Sequence, residues 1–411
     1  MGAIIPSKIL GLPGQCVKAA RWEASTESLV VSCARDRRFV PRDHVTGQRG
    51  TVNRRLRRRV RDLPLWGHQV WLEIEYCQIK VGATQRRVED LAFVDAGMGM
   101  TNRFCRFVSQ LCRHMSISAV ARYTGLAWRT VKAMDERALR AELPALDPGA
   151  LTGLRYLGVD EVARAKGHDY VTLVYDLVSG HLLWVAEGRT KAALVDFFDR
   201  LDCDVADGIE AVAIDMSPAF EHAVRESLPK AAIVFDRFHV MQNYSKVIDQ
   251  VRRAEFRRAN TADKKLLTGS RYLLLKNAER LSDAQQDRLT ELLAANENLT
   301  AVYALKEQLQ HLWQRPVDVG DMTERLTQWC ELAEQTHLAP LQRFARLLRS
   351  HAQGICNYAE HPLTTARIEA GNVAIGMIRK RARGLLDTEY FKLKIRQTAV
   401  PEPPRGLYAL T

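Results

Sequence analysis

Five short apolar runs rich in β-branched and aromatic residues occupy the middle of the chain, between residues 154 and 236. The first three read LRYLGVD, YVTLVYDLVSG and HLLWVAEGR, and Ser179-Gly180 between the second and third is typical of a hairpin turn. The helical pattern KAALVDFFDRL precedes the fourth run, AVAID, and Ser217-Pro218 begins another helix before the fifth, AAIVFD. The pattern predicts the order β-β-β-α-β-α-β.

A long segment from residue 238 to about 359 has leucines at helical spacing and no convincing strand. In LSDAQQDRLTELLAANENL, Ser282 and Gln285 are spaced as a capping box, which is typical of a helix N-terminus. After this segment we expect a final helix from Thr365 to Arg383. The whole pattern predicts an α/β ribonuclease H-like core with a large all-helical insertion.

A helical block precedes the strands, from residue 101 to 143. In SISAVARYTG, Ser116 or Ser118 is expected as the N-cap and Gly125 at the C-terminal turn, and LAWRTVKAMDERALR then begins a second helix. Helix, glycine turn and helix resemble a helix-turn-helix, although many hairpins without DNA-binding activity share this pattern. Its second helix would present these candidate DNA contacts to a groove: Trp128, Arg129, Lys132 and Arg137.

The first part of the chain, to about residue 96, has the strand-like runs LVVSC and HQVWLEIEYC and is expected to form a small β-containing module. Between these runs, RRLRRRVR places six arginines within eight positions. Such a run forms either a solvated charged surface or a surface that contacts DNA phosphates, and the scarcity of acids nearby favours DNA. The candidate contacts are Arg54, Arg55, Arg57, Arg58 and Arg59.

Composition agrees with a nucleic-acid partner, because 60 Lys and Arg against 48 Asp and Glu give a formal charge of +12. The eight cysteines are scattered, so free thiols in a reducing compartment fit better than disulfides. The first residues lack the pattern of a signal peptide, and no run approaches the ~18 apolar residues of a membrane span. We therefore expect a cytoplasmic protein without a membrane partner.

Three acids in matching positions carry the candidate chemistry. Asp160 ends the first predicted strand, Asp215 ends the fourth, and Glu369 lies in the first turn of the final helix. A single Asp at a strand end is more often a turn residue or a helix cap. Three carboxylates brought together by a sheet and a helix would bind Mg²⁺ or Mn²⁺, as two ions about 4 Å apart, on a phosphodiester substrate. In that arrangement Asp160 would bridge the two ions. Asp215 would complete the coordination shell of one ion, and Glu369 that of the other.

The final helix has two faces. Ile368, Gly371, Ile375, Ile378 and Ala382 form an apolar stripe. The polar face beside it comprises Glu369, Asn372, Gly376, Arg379 or Lys380, and Arg383. The candidate DNA contacts among these residues are Arg379, Lys380 and Arg383. An ordinary amphipathic surface helix has the same pattern.

Four segments resemble the ISL-three family of bacterial insertion-sequence transposases: GVDEVARAKGHDYVTLVYD, AIDMSPAF, DRFHVMQ and IEAGNVAIGMIRKRARG. The resemblance covers nearly the whole chain and implies a DDE transposase, which would be a bacterial, nucleoid-associated protein. It assigns the family's two aspartates and its glutamate to Asp160, Asp215 and Glu369. It also matches the DRFH signature to residues 236–239, where His239 could support the site, contact DNA, or serve only as a core or cap residue.

The sequence departs from this family near its N-terminus, where relatives usually carry a zinc module built from two Cys-x-x-Cys pairs. Cys33 is followed by ARD and Cys77 by QIK, so each pair keeps at most one cysteine. Too few thiolates remain for a closed tetrahedral site, although His44 or His68 could substitute. We expect a degenerate, metal-free module that uses the arginine run for DNA.

The predicted organisation is an N-terminal DNA-binding module at 1–98, a helix-turn-helix at 99–145, a catalytic core at 152–238 and 362–400, and a helical insertion at 239–361. The expected function is binding of terminal inverted repeats, cleavage of DNA strands and transfer of 3′ ends to target DNA, by a dimer or larger homo-oligomer. Two alternatives remain: a catalytically silent DNA-binding regulator derived from a transposase, and a nuclease that cuts without joining.

Overall fold

The computed structural model describes residues 11–82, 85–95, 97–164, 169–314, 316–382 and 386–400. These residues divide into two units by their internal contacts. Unit 1 comprises residues 11–144, 380–382 and 389–400, and unit 2 comprises residues 145–379 and 386–388. No helix of the described residues is both long enough and apolar enough to cross a membrane.

Unit 1 begins with a five-stranded sheet in the order β1-β2-β4-β3, in which β5 also pairs with β4. Its strands are β1 (Gln15–Glu23), β2 (Ser28–Arg35), β3 (Thr51–Leu65), β4 (His68–Val81) and β5 (Gln85–Val88). The pair β2 and β4 is parallel, and the other pairs are antiparallel. Trp66 and Gly67 join β3 to β4 with φ of 51° and 81°, the positive values that tight hairpin turns require. One face of the sheet buries Val31, Val60, Leu72 and Ile74.

Three helices follow the sheet: α1 (Asn102–His114), α2 (Ile117–Thr124) and α3 (Trp128–Glu142). The Ser116 side chain caps α2 by accepting from the Ala119 N–H, and Gly125 ends it with φ of 69° in the left-handed region. Val120 and Val131 are fully buried between the helices, and Leu126 packs against them. The predicted N-cap, glycine turn and apolar positions are therefore those of the structure.

Unit 2 contains a second five-stranded sheet, in the order β10-β9-β6-β7-β8. Its strands are β6 (Tyr156–Ala163), β7 (Tyr170–Asp176), β8 (Leu182–Glu187), β9 (Ala211–Ile214) and β10 (Ala232–Phe235). Strands β6, β7 and β8 form an antiparallel meander, whereas β9 is parallel to β6 and β10. Helices α4 (Lys191–Phe198), α5 (Cys203–Asp207) and α6 (Pro218–Ser227) connect the strands. The order matches the predicted one, apart from the short extra helix α5.

A helical segment continues from β10. Its helices are α7 (Arg237–Arg258), α8 (Thr261–Leu267), α9 (Arg271–Leu275), α10 (Asp283–Ala294), α11 (Glu297–His311), α12 (Val319–Gln335), α13 (Ala339–Ser350) and α14 (Ala352–Cys356). The capping box of Ser282 and Gln285 is present at the start of α10. Tyr244, Trp329 and Phe344 pack ring against ring in the core of this segment.

The chain then returns to the sheet in α15 (Ala366–Ala382). Ile368, Ile375 and Ile378 of this helix are 1%, 0% and 7% exposed, so the predicted apolar stripe is buried. A Cβ on Gly158 of β6 would lie 2.5 Å from the Ile368 Cδ1, and a Cβ on Gly371 would lie 3.0 Å from the Tyr175 Oη. The two glycines therefore allow α15 to lie directly against β6 and β7.

Helix α16 (Thr388–Ala399) belongs to unit 1, except for its first residue, although we expected residues 362–400 to form part of the catalytic core. The Asp135 carboxylate of α3 is fully buried and accepts hydrogen bonds from the Ser109 hydroxyl, the Tyr390 hydroxyl and the Lys394 ammonium. Tyr390 and Lys394 are on α16, so a buried polar network joins α16 to the helix-turn-helix segment.

Candidate active site

Asp160 and Asp215 occupy equivalent positions on two neighbouring strands. In the parallel pair β6 and β9, Gly158 is the register partner of Ala213. Each aspartate follows its paired residue by two positions. Asp215 comes directly after the end of β9, as predicted, but the prediction that Asp160 ends its strand is wrong, because the hairpin pairing with β7 extends β6 to Ala163. The sequence thus brings these two carboxylates together because both strands run in one direction and in register.

Burial dominates the electrostatics of both aspartates. It raises the pKa of Asp160 and the pKa of Asp215, because a carboxylate loses solvation when it leaves water. The Asp160 Oδ1 accepts the Glu161 backbone N–H at 2.7 Å. The Asp215 Oδ1 is buried, and no described residue donates a hydrogen bond to it. A buried carboxylate oxygen without a partner is costly unless a cation satisfies it.

The helix that carries Glu369 is tied to this edge of the sheet at two places. The Asn372 Nδ2 donates to the Asp160 Oδ2 at 2.5 Å, and the Thr365 hydroxyl donates to the Asp236 Oδ2. Glu369 lies between these two anchors, and its backbone N–H donates to the Thr365 carbonyl at 2.9 Å. Burial raises the pKa of Glu369, and repulsion from Asp236 and Asp160 raises it further. Glu369 is therefore close enough to Asp236 and Asp160 for their carboxylates to repel its own.

Asp236 and His239 link the site to α7. Asp236 is the N-cap of α7, where its Oδ1 accepts the Phe238 N–H at 3.0 Å. The His239 Nε2 lies 4.0 Å from the Asp160 Oδ1. Attraction by the imidazole opposes the burial that raises the pKa of Asp160 and Asp215. Of the roles left open for His239, the structure favours support of the acidic site.

Sequence reasoning missed Glu161 and Arg189 as part of this cluster. Burial raises the pKa of Glu161, and repulsion from Asp215 adds to the effect. Arg189 follows β8, and its guanidinium lies 3.3 Å from the Glu161 carboxylate and 4.7 Å from the centre of the Tyr170 ring. The adjacent acids Asp160-Glu161 were visible in the sequence, but the position of Arg189 depends on the pairing of β7 with β8.

The donors at this edge have the chemistry that a hard divalent cation needs. Carboxylate oxygens are the preferred ligands of Mg²⁺ and Mn²⁺, and the Asp215 Oδ1 has no hydrogen-bond donor among the described residues. Within the same residues, no three His, Cys, Asp or Glu side chains converge closely enough to enclose a metal ion as they stand. The residue types and their electrostatics fit a metal, but the described side chains do not form a complete ligand cage in this conformation.

The candidate DNA contacts of α3 differ in exposure. Trp128 is 47% exposed and Arg129 is exposed, at the N-terminal end of the helix. Lys132 is half-buried, and its ammonium lies 5.5 Å from the centre of the Tyr390 ring. Arg137 forms an ion pair with Asp95 at 2.7 Å. Trp128 and Arg129 are thus the more accessible pair.

The arginine run forms most of strand β3, where side chains alternate between the two faces. Arg55 and Arg57 lie 3.5 and 3.7 Å from the Glu75 carboxylate, and Arg59 lies 3.0 Å from Glu23. Arg58 lies over the Tyr76 ring, and Arg54 is exposed. The run is therefore partly neutralised, mainly by acids of β1 and β4 that are distant in sequence.

The remaining predicted residues lie on α15 and in the first sheet. Arg379 is half-buried and Lys380 is exposed, whereas Arg383 lies outside the described residues. Cys33 and Cys77 are buried in β2 and β4. Burial raises the pKa of the Cys33 thiol to about 11, and the Coulombic effects of Asp62 and Cys16 add to this shift.

Comparison with known proteins identifies the family of this chain. Residues 157–395 match the ISL3 family model described as a transposase, and residues 89–139 match the helix-turn-helix domain of transposase family ISL3. The transposase for insertion sequence element IS1001 of Bordetella parapertussis is 39% identical over 348 residues, which are 82% of this chain and 84% of the relative. The transposase for insertion sequence element IS1557 of Mycobacterium tuberculosis is 29% identical over 343 residues, 78% of this chain and 76% of the relative. The resemblance to the ISL-three family is confirmed, and the chain belongs to the ISL3 family of transposases.

Proposed function

We propose that this chain binds the terminal inverted repeats of an insertion sequence and catalyses metal-dependent cleavage and transfer of DNA strands. Its catalytic core is a ribonuclease H-like domain, formed by the second sheet and α15 and interrupted by the helices between β10 and α15. The sheet order β10-β9-β6-β7-β8, with an antiparallel meander followed by two parallel strands, supports this assignment.

One observation carries the proposal: acids distant in sequence meet at one edge of the sheet. Asp160 and Asp215 are in equivalent positions on parallel strands, and Asn372 anchors the helix of Glu369 to Asp160. A structural role alone does not explain why Asp215 keeps a buried oxygen without a hydrogen-bond donor among the described residues.

Asp160, Asp215 and Glu369 would hold the divalent cations, Mg²⁺ or Mn²⁺, most simply as two ions with Asp160 shared between them. When bound, such ions activate the attacking hydroxyl and stabilise the leaving 3′-oxygen. The chain's own contribution is to position the ligands. Asn372 holds one oxygen of Asp160, and the N-cap Asp236 holds Thr365 at the start of the helix that carries Glu369.

DNA binding would involve three sets of residues. Trp128, Arg129 and Lys132 of α3 would read the element end, because the N-terminal residues of a recognition helix contact base edges. The arginines of β3, two cations of α15 and the following Arg383 would contact phosphates: Arg54, Arg55, Arg57, Arg58, Arg59, Arg379, Lys380 and Arg383. Joining both element ends to a target requires a synaptic complex, so we propose a dimer or larger assembly on DNA.

The test is Mg²⁺-dependent cleavage of duplex DNA that carries the element ends, by the full chain and by three variants. Asp160→Asn, Asp215→Asn and Glu369→Gln should each lower cleavage by on the order of a hundredfold or more, while binding of the ends remains. Asp287→Asn, which neutralises an exposed acid of α10, is the matched control.

Loss of end binding together with cleavage would show that the three acids are structural. Full cleavage by any of the three variants would remove that residue from the site. Binding without cleavage by the unaltered chain, in Mg²⁺ and in Mn²⁺, would instead support a silent regulator.

A further inference from the structure

Helix α7 joins the acidic site to the far side of the helical segment as one continuous rod. Its N-cap Asp236 and its first turn lie at the site, where the His239 Nε2 is 4.0 Å from the Asp160 Oδ1. The helix then continues for 22 residues to Arg258. One face is buried in the core through Val240, Tyr244 and Val251. The position of the exposed face relative to the site is therefore fixed by the fold of unit 2.

The exposed face of α7 contains no acid. The helix has two acidic residues, and Asp249 is 8% exposed while Glu255 is half-buried. Six exposed residues share one stripe, spaced by three or four positions: Phe238, Gln242, Lys246, Gln250, Arg253 and Arg257. At 3.6 residues per turn they fall within about a third of the helix circumference. We call these six residues the α7 stripe.

The charges of the stripe are available to a ligand. The Arg253 side chain is 64% exposed although it lies 2.6 Å from Asp249. Lys246 donates only to the neutral Asn243 side chain, at 2.8 Å, and Arg257 has no acidic partner among the described residues. An ordinary solvated helix face mixes acids with bases, so a row of amides and cations with no acid is suited to a polyanion.

Charge is also segregated along the helical segment. Residues 252–271 contain seven Arg and Lys against two Asp and Glu. Residues 283–335 contain ten Asp and Glu against four Arg and Lys. A polyanion would therefore be attracted to the end of α7 and repelled by the helices beyond it.

We propose that the α7 stripe is a further DNA-binding surface, which holds the backbone of the duplex beside the bond that is cut. This inference rests on the proposed function, because it starts from a phosphodiester held at Asp160. At 1.5 Å per residue, Phe238 and Arg257 are about 28 Å apart along the helix. At 3.4 Å per base pair, that length corresponds to about eight base pairs of duplex. The cations of the stripe contact phosphates, and its two glutamines hydrogen-bond to the backbone between them.

The experiment measures affinity for fluorescent duplexes that carry the element end, in EDTA, as a function of salt. Arg253→Ala combined with Arg257→Ala removes two cations of the stripe. Arg343→Ala combined with Arg346→Ala, two exposed positions of α13, is the matched control. Loss of two phosphate contacts should reduce the steepness of log affinity against log salt by about 1.8. The ratio of the affinity of the stripe variant to that of the unaltered chain should therefore change about tenfold between 50 and 200 mM salt.

Duplex length locates the contact. On the side of the cut where the stripe binds, the duplex can be shortened until only about four base pairs remain. On such a duplex, the variant with Arg253→Ala and Arg257→Ala should bind as tightly as the unaltered chain does. Equal salt slopes for the stripe variant and the control would overturn the proposal, as would a defect that persists on the shortest duplexes. Binding is measured without metal, so it does not depend on cleavage. If the unaltered chain fails to cut DNA in Mg²⁺, the proposed function is contradicted, but the binding experiment still tests the α7 stripe.

Discussion

The Cβ that Gly158 lacks would lie 2.5 Å from the Ile368 Cδ1. Gly158 is two residues before Asp160 on β6, and Ile368 immediately precedes Glu369 on α15. The absence of one methyl group therefore sets how closely the helix with the third acid approaches the strand with the first.

Gly158→Ala should destabilise the fold by about 1–3 kcal/mol and lower cleavage, because the added carbon pushes α15 and Glu369 away from the sheet. The free energy of unfolding and the cleavage rate measure the two effects. Adding Ile368→Val removes the clashing Cδ1 and should restore part of the lost stability and part of the lost cleavage rate. Gly376→Ala on α15, where a new Cβ meets no atom within 4 Å, should leave cleavage unchanged. Normal cleavage by Gly158→Ala would show that this approach does not matter.

The pH dependence of stability should reveal the unsatisfied acid. Burial raises the pKa of Asp215, so the metal-free folded protein keeps this proton at pH values where the unfolded chain has lost it. The free energy of unfolding therefore falls as pH rises from the ordinary carboxyl pKa of about 3.9 through the raised value, and the loss persists at neutral pH.

Asp215→Asn should consequently raise the melting temperature of the metal-free protein at pH 7, and this gain should shrink below about pH 4. Added Mg²⁺ should raise the melting temperature of the unaltered chain more than that of the variant, because bound ligand stabilises the folded state. Calorimetric scans with and without Mg²⁺ measure both effects, and Asp287→Asn is the control. A variant less stable than the unaltered chain at pH 7 would show that Asp215 is already satisfied.

Arg129 should contribute more to recognition of the element end than Lys132 does. Arg129 is exposed, whereas Lys132 lies against the Tyr390 ring. Arg129→Ala should cost about 1–3 kcal/mol of binding to the specific end, with little change in binding to unrelated DNA. Competition binding measures the difference, with Arg140→Ala at the other end of α3 as the control. Equal losses for Arg129→Ala and Arg140→Ala would argue against α3 as the reading helix.

The buried ion pair between Lys394 and Asp135 should control the stability of unit 1. The two side chains are 7% and 0% exposed, and burial lowers the pKa of the Lys394 ammonium. Lys394→Met should destabilise the protein by about 3–5 kcal/mol, because it leaves the Asp135 carboxylate buried without its cation. The loss of stability should lower the melting temperature and should weaken binding of the DNA element ends.

The double variant Asp135→Asn with Lys394→Met should recover part of that stability, since no buried charge remains unpaired. Lys392→Met, next to the pair on α16, removes a lysine that pairs with the exposed Glu389 and should change stability little. A double variant no better than Lys394→Met alone would mean that packing, and not charge, holds α16 in place.

Local signals predicted much of this structure. The cap at Ser116, the left-handed turn at Gly125 and the succession of strands and helices from β6 to β10 along the chain follow from short stretches of sequence, because caps, turns and alternation depend on neighbouring residues. The buried isoleucines of α15 were equally visible in the helical spacing. The approach of Asp160 to Asp215 also required β6 and β9 to be adjacent, parallel and in register, which no local signal specifies.

Contacts between distant residues were not predictable in the same way. Glu75 neutralises Arg55 and Arg57 only because β3 pairs with β4 in one register. The turn at Trp66-Gly67 begins that register, but a shift between Asp62 and Leu65 changes it, and no sign of this shift was visible in the sequence. Arg189 approaches Glu161 across two strand pairings. The attachment of α16 to α3 through the buried Asp135 also depends on a contact between residues distant in sequence.

The order in which a ribosome makes this chain gives the attachment of α16 a biological consequence. Residues 389–399 are synthesised only after the whole of the second sheet and its helical segment, yet they pack with unit 1, whose first strand begins at Gln15. A nascent chain therefore cannot complete the core of unit 1 before Asp160, Asp215 and Glu369 have been made. A frameshift after Glu369 and before Tyr390 would leave the Asp135 carboxylate without the Tyr390 hydroxyl and the Lys394 ammonium.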